Sequence, residues 1–229
     1  MSAADANLSL TGRNAKKKRN TRARLLESAH DVMAAVGVDD AKIKDITDAA
    51  DVGFGTFYNY FETKDALASE VLDCMIHDVG VRNVEATRAL AVSDPAAVMP
   101  TSVRLFIREA VEKPIWRWWA LRPDLMTDRL RDGFAEFALN DLRQGVDLGL
   151  LRLSLKDLDQ SWALTCWMMV GGIHDIVVGD RPLKSETFVA EAIARSWGYD
   201  FEVAHRVSAI PLPSYGPAKV DWTFKLNPD

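Results

Sequence analysis

Between Ile43 and Lys64 the chain reads IKDITDAADVGFGTFYNYFETK, and its corner, Asp51-Val52-Gly53, leaves room for little but two short helices meeting at a tight turn. Asp tolerates a left-handed backbone better than most residues, so Asp51 can make the corner while Val52 fills the angle between the helices. Upstream, Ile43, Ile46, Ala49 and Ala50 form the inner face of a short helix, capped by Asp39 or Asp40 and ending at Asp51. Downstream, Phe54 to Phe61 forms a second helix that buries Phe57 and Phe61 and leaves Thr56, Tyr58, Asn59 and Tyr60 for a partner. Thr63 then caps a further helix through Leu67, Val71 and Met75, with Lys64 and Asp65 in its first turn. Two short helices and a corner of this kind are the unit that reads the DNA major groove.

Two residues in this stretch fit DNA better than they fit helix stability. Gly55 costs a helix about 1 kcal/mol relative to Ala, and its use is close approach to a backbone or base edge. Lys64 opposes the macrodipole at a helix N-terminus, a placement that suits a phosphate.

The net charge of -5 excludes a protein coated in positive charge, so DNA contact must rest on local clustering. That cluster is RNAKKKRNTRAR, residues 13–24, which holds no acid. A run like this is either a solvated helix start or a backbone and minor-groove arm, and Lys16, Lys17, Lys18 and Arg19 are its candidate contacts. Residues 1–12 are small and polar and predict disorder. From Thr21, Leu25, Ala29, Val32 and Val36, flanked by Leu26 and Met33, recur at helical spacing until Gly37 closes the first helix.

Beyond Gly80 the periodicity is helical throughout, with no strand-like alternation, and the hydrophobic content of 48% allows a full core. Helices are expected from Asp94 to about Val111, in the aromatic piece between Pro114 and Pro123, from Asp124 to about Gly145, from Asp157 to Gly179, from Leu183 to Trp197, and from Asp200 to Ala209. The Pro-rich tail from residue 210 should be extended or disordered, with Trp222 and Phe224 available to dock it.

Nothing in the chain spells out catalysis. The four histidines lie at no catalytic spacing, and GxSxG, Walker, GxGxxG and HExxH patterns are missing from the sequence. His174 and Asp175 are adjacent, but neighbours on one helix point about 100° apart and make a poor relay. Cys74 and Cys166 are far apart in apolar contexts, which fits neither a metal site nor a disulfide framework and suits a reducing cytoplasm. No cofactor, metal, catalytic residue or membrane span is expected.

The residues of 21–72, through TRARLLESAHDVMAAVG, IKDITDAADVGFGTFYNYF and TKDAL, resemble the N-terminal domain of TetR-type transcriptional regulators. GTFYNYF followed three residues on by a lysine is specific to that family. The resemblance implies that Lys44, Phe54, Gly55, Thr56 and Asn59 face the groove and that Tyr58, Tyr60 and Lys64 meet phosphates, with Lys42 nearby. Two positions depart from the family pattern. Lys42 replaces the usual Ser or Thr cap, and Phe54 replaces a polar or basic residue, leaving it an apolar contact with a thymine methyl or no base contact.

GVDLGLLR and a following helix with Gly171-Gly172 loosely resemble the family's regulatory domain. This implies a four-helix dimer interface packed closely at Gly171 and Gly172, with two recognition helices about 34–36 Å apart on a palindrome. Trp116, Trp118, Trp119, Trp162 and Trp167 fall in segments that, by the resemblance, surround an effector pocket. Core packing or dimer contact explains most aromatic stripes, and the pocket candidates are His77, Phe106, Trp116, Trp119, Phe134, Phe137, Trp167 and His174.

The expected protein is all-α: an arm over 1–20, a three-helix DNA-binding domain over 21–66, a larger effector-binding and dimerisation domain over 67–209 and a tail over 210–229. It acts as a cytoplasmic, homodimeric repressor released from a palindromic double-stranded operator by a small apolar or aromatic effector. The rival reading is a protein-interaction or small-molecule-binding module that kept the fold without operator-specific binding.

Overall fold

The computed structural model describes residues 3–224, with side chains described from residue 14. Eleven α-helices and no strand occur among the described residues. Contacts divide them into two units, one running up to Met75 and including the segment from Val220, the other spanning Ile76–Lys219. The division falls within one helix, α4, Lys64–Ser93.

In the first unit, α1 is Ala3–Val36, α2 Ile43–Ala49 and α3 Phe54–Phe57. The arm expected to be disordered is helical from Ala3, in one piece with the first helix. The physical reason is local: residues 3–36 contain no proline and a single glycine, Gly12, while Ala, Leu, Lys and Arg dominate. Thr21, Leu25, Leu26, Ala29 and Met33 form the buried stripe of α1, whereas Val36, expected inside, is 52% exposed. Gly37 takes φ 86 and bonds back to the Met33 carbonyl, closing the helix.

The N-cap of α2 is Lys42, without a side-chain bond, rather than Asp39 or Asp40. Its inner face carries Ile46, Thr47 and Ala50, with Ala49 outside. Asp51 has φ 51, the left-handed corner the sequence allows. The α3 helix is a single turn. The chain then tightens, with Tyr60 N–H donating to the Phe57 carbonyl, so Asn59 and Tyr60 lie in a turn and not on a longer helix. Phe57 and Phe61 are core, 5.8 Å apart, and the Arg22 guanidinium sits 4.8 Å from the Phe61 ring while pairing with Glu70. Thr63 Oγ1 accepts the Ala66 N–H and caps α4. Trp222 lies 5.2 Å from His30 of α1.

The second unit contains α5 (Val98–Glu112), α6 (Arg117–Ala120), α7 (Pro123–Gly133), α8 (Ala135–Asp147), α9 (Leu158–Val177), α10 (Glu186–Ser196) and α11 (Phe201–Ala209). The single long helix expected after Asp124 is broken at Phe134. Two neighbours favour the break: a Cβ on Gly133 would come within 3.0 Å of Ile76, and the indole Nε1 of Trp162 donates to the Arg131 carbonyl at 2.9 Å near the end of α7. The central helix α9 packs on α5, α7, α8 and α10.

Phe106, Trp116, Trp119, Phe134 and Trp162 form a linked aromatic core, with centroids 5.5 to 6.4 Å apart from pair to pair. Glu186, 1% exposed, is held by Arg104 and by both Arg108 Nε (2.7 Å) and Nη2 (2.8 Å). The tail from residue 210 is irregular, as expected, but pinned: Tyr215 lies 4.4 Å beneath the Arg82 guanidinium and Lys219 N–H donates to Asp78. Its last residues, 225–229, lie outside the described range. Cys74 and Cys166 are buried and form no disulfide, and no described helix is long and apolar enough to cross a membrane.

Candidate functional site

The first unit carries an open groove of about 720 Å³, lined on one side by Asn14, Lys17, Lys18 and Arg24 of α1 and on the other by Thr56, Asn59 and Tyr60. Arm and recognition turn therefore share one face. Thr21, buried beneath, and Val52 and Gly53 of the corner complete the groove. Lys16 and Arg19 are exposed on the same helix. A Cβ at Gly55 would meet nothing within 4 Å, so internal packing does not require glycine there.

Phe54 and Tyr58 are each 53% exposed and meet edge to face at 5.9 Å. They form an apolar shoulder beside the groove, with Tyr58 resting on Phe57 at 5.2 Å. Lys42 is exposed. Lys44 pairs with Asp48 one turn on at 2.5 Å, and this hydrogen bond raises the pKa of its ammonium. Lys64 points its Nζ at the carbonyls of Asp39 (2.7 Å) and Ala41 (3.0 Å), clasping the α1–α2 loop.

The second unit holds a small cavity of about 30 Å³ into which no polar atom opens, its polar residues lining it through their apolar atoms. Phe106, Phe134, Trp162, Trp197, Met99 and Asp141 are among its walls. Thr165 also reaches it, but its hydroxyl is engaged on both sides, donating to Ser161 and accepting from the Trp197 indole. A cleft of about 260 Å³ lies outside, between Val84, Thr87 and Arg88 of α4, Gln144 of α8 and Tyr199. Burial pushes the Tyr199 hydroxyl up to about 12, and it donates to the Ala96 carbonyl.

Of the eight expected pocket residues, Phe106 and Phe134 line the inner cavity, and Phe137 lines an open groove along α8 with His77 5.8 Å away. The others sit elsewhere. Trp116 and Trp119 are fully buried in the core, each with an unpartnered indole N–H, and line none of these cavities. Trp167 is 48% exposed on the outer face of α9, because the positions around it, Cys166 and Val170, take the inward direction. His174 is partly exposed, its Nδ1 3.5 Å from Asp175. Gly172 serves the inside of the chain, since a Cβ there would stand 2.6 Å from Val189 of α10; Gly171 opens outward.

Sequence reasoning passes over Trp197, Met99 and Asp141. Asp141 carries a signal, being one turn beyond Phe137 and two beyond Phe134 on the apolar side of α8.

A basic groove beside a helix-turn-helix, in a chain whose other unit is a helical body around an aromatic cavity, is the arrangement of a ligand-responsive DNA-binding regulator. Comparison with known proteins agrees. The profile of bacterial regulatory proteins, tetR family, matches residues 25–71, and that of the tetracyclin repressor-like C-terminal domain matches residues 94–209. The chain belongs to the tetR family of transcriptional regulators.

RolR in complex with resorcinol is 30% identical over 87% of this chain and 98% of its own, with a TM-score of 0.78. RolR without ligand is 29% identical, covering 85% of this chain and 100% of its own, at 0.77. FadR from Bacillus subtilis with stearoyl-CoA, 14% identical over 76% of this chain and 97% of its own at 0.55, shares the fold alone. Among curated protein sequences, none matches the chain significantly.

Proposed function

We propose that this regulator works as a cytoplasmic homodimeric repressor on a palindromic operator and is released from it by a single-ring aromatic effector of the resorcinol type. It acts by binding and not by catalysis. The observation that carries the effector class is the aromatic cavity of Phe106, Phe134, Trp162 and Trp197, in a chain 30% identical to a regulator solved with resorcinol.

Lys17, Lys18, Thr56, Asn59 and Tyr60 meet the DNA through the shared groove, with Lys16, Arg19, Lys42, Lys44 and Tyr58 at flanking phosphates and Phe54 and Gly55 against the bases. Lys64 supports this face by holding the α1–α2 loop and keeps one ammonium proton for a phosphate.

The outer face of α9 and α10 supports the dimer. Leu164 is 64% exposed, Trp167 48% and Phe188 73%, with Gly171 open beside them. A stripe of this kind suits a second copy of the chain. α4 is the lever: Lys64 lies in its first turn, and its later turns carry Val84, Thr87 and Arg88 on the outer cleft. A ligand lowers the DNA-competent population only by its differential affinity for the two arrangements.

Selection of bound fragments from random duplex DNA, followed by addition of resorcinol, tests this reading. A recovered palindrome that resorcinol releases is the expected result. Enrichment without symmetry would remove the dimeric operator, and a palindrome indifferent to resorcinol and its single-ring analogues would remove the effector class.

A further inference from the structure

One carboxylate in the helical body has no protein partner and sits where the cavities meet. Asp141 of α8 lines the inner aromatic cavity, the outer cleft and the open groove along α8. The deeply buried acids of this unit are paired: Glu186 with Arg104 and Arg108, and Asp78 with Arg82 and the Lys219 N–H. Among the described residues, no hydrogen bond or ion pair reaches Asp141. No polar atom faces the inner cavity, so the carboxylate opens from this shared wall toward the outer cleft and the α8 groove, where a ligand donor can meet it.

We propose that Asp141 is the polar anchor of the effector site, accepting a hydrogen bond from the hydroxyl of a phenolic ligand whose ring lies among Phe106, Phe134, Trp162 and Trp197. This rests on the aromatic-effector reading above and names the residue that recognises the substituent. The surroundings select the chemistry. A phenolic hydroxyl has one proton to place, and Asp141 takes it. An ammonium would bring three protons beside one carboxylate at the wall of a cavity into which no polar atom opens, leaving a buried charge incompletely bonded. An aromatic carboxylate would set like charge against like. Burial alone raises the Asp141 pKa to about 6, as expected of an acid that lacks its partner.

The entry route follows from shared walls. Met99 and Asp141 both line the inner cavity and the outer cleft, so they form the partition between them. Methionine is unbranched and repacks readily. Turning its side chain aside joins the two spaces into one of about 300 Å³, the lower end of the range for small-molecule sites.

The test is calorimetric titration of the full-length protein with phenol, toluene and benzoate, three rings that differ in one substituent. Wild type is expected to bind phenol and to reject benzoate. Asp141→Asn and Asp141→Leu should each bind phenol at least ten-fold more weakly while holding toluene as wild type does, which shows that the cavity is intact. Phenol binding unchanged in both variants would overturn the role of Asp141 and leave the effector reading standing. Wild type that binds none of the three rings would overturn the aromatic-effector reading itself.

Discussion

Lys64 Nζ lies 2.7 Å from the carbonyl oxygen of Asp39, 25 residues back in the chain. With its second bond to Ala41, it fastens the start of α4 to the loop that sets α1 against α2. Lys64→Met should therefore lower stability by about 1 kcal/mol and weaken DNA binding together. Tyr60→Ala, which removes a groove residue that is not core, should weaken DNA binding and leave the melting temperature in place. Thermal melts paired with affinity at several salt concentrations separate the two. A flatter salt slope for Lys64→Met would add a phosphate contact to its structural one.

Adjacent glycines on α9 should behave in opposite ways. Gly172→Ala forces its methyl into the stiff, β-branched Val189 and should cost about 1–3 kcal/mol of folding stability. Gly171→Ala meets no atom of its own chain and should fold normally. Urea unfolding of the two variants side by side reads the difference.

Trp167→Glu places a charge on the exposed outer face of α9 without disturbing the core. The variant should fold as wild type and sediment as a monomer, because a carboxylate buried between two copies would lack a partner. A variant that still sediments as a dimer would remove this face from the interface.

Asp141 gives stability a pH dependence of definite sign. Its folded pKa, about 6, stands above the ordinary 3.8, so the folded chain holds this proton more firmly than the unfolded chain does. The group's destabilising effect is therefore full above about pH 6 and fades as pH falls through 6 towards 4. Arg88 of α4, Glu136 and Arg143 of α8, and Tyr199 are the other titratable groups lining its cavities. Asp141→Asn should raise stability by about 2 kcal/mol at pH 7.5 and by much less at pH 4.5. Urea unfolding at the two pH values measures this, and an equal gain at both would assign the effect to something other than charge.

Glu186 is the opposite case, an acid whose partners are all present. Glu186→Gln leaves Arg104, 8% exposed, facing a neutral amide and should destabilise the fold by about 3 kcal/mol. Chemical denaturation reads the loss directly. Replacing Arg108, which is 42% exposed, should cost less than replacing Arg104.

The parts of this molecule legible in its sequence are those set by short-range chemistry. The Asp51 corner, the Gly37 stop and the Thr63 cap each depend on neighbours a few residues away. What was not legible depends on distant partners. The break at Phe134 answers to Ile76 and Trp162, the inward use of Gly172 answers to Val189, and the Lys64 clasp answers to Asp39. Aromatic content located the body of the effector unit but could not sort its indoles, since periodicity does not distinguish a core wall from a cavity wall. Trp116 and Trp167 show the two extremes, one sealed in the core and the other turned outward.

The uneven placement of the tryptophans equips the chain with its own optical readout. Trp116, Trp119 and Trp197 are sealed from solvent and should emit at the blue edge, while Trp167, nearly half exposed, should emit at the red. Among the described residues, Trp162 and Trp197 alone of the indoles line the inner cavity. An occupant of that cavity should dim the blue edge of the spectrum, and formation of the α9 interface should shift the red edge, so one emission scan distinguishes the two events without a label.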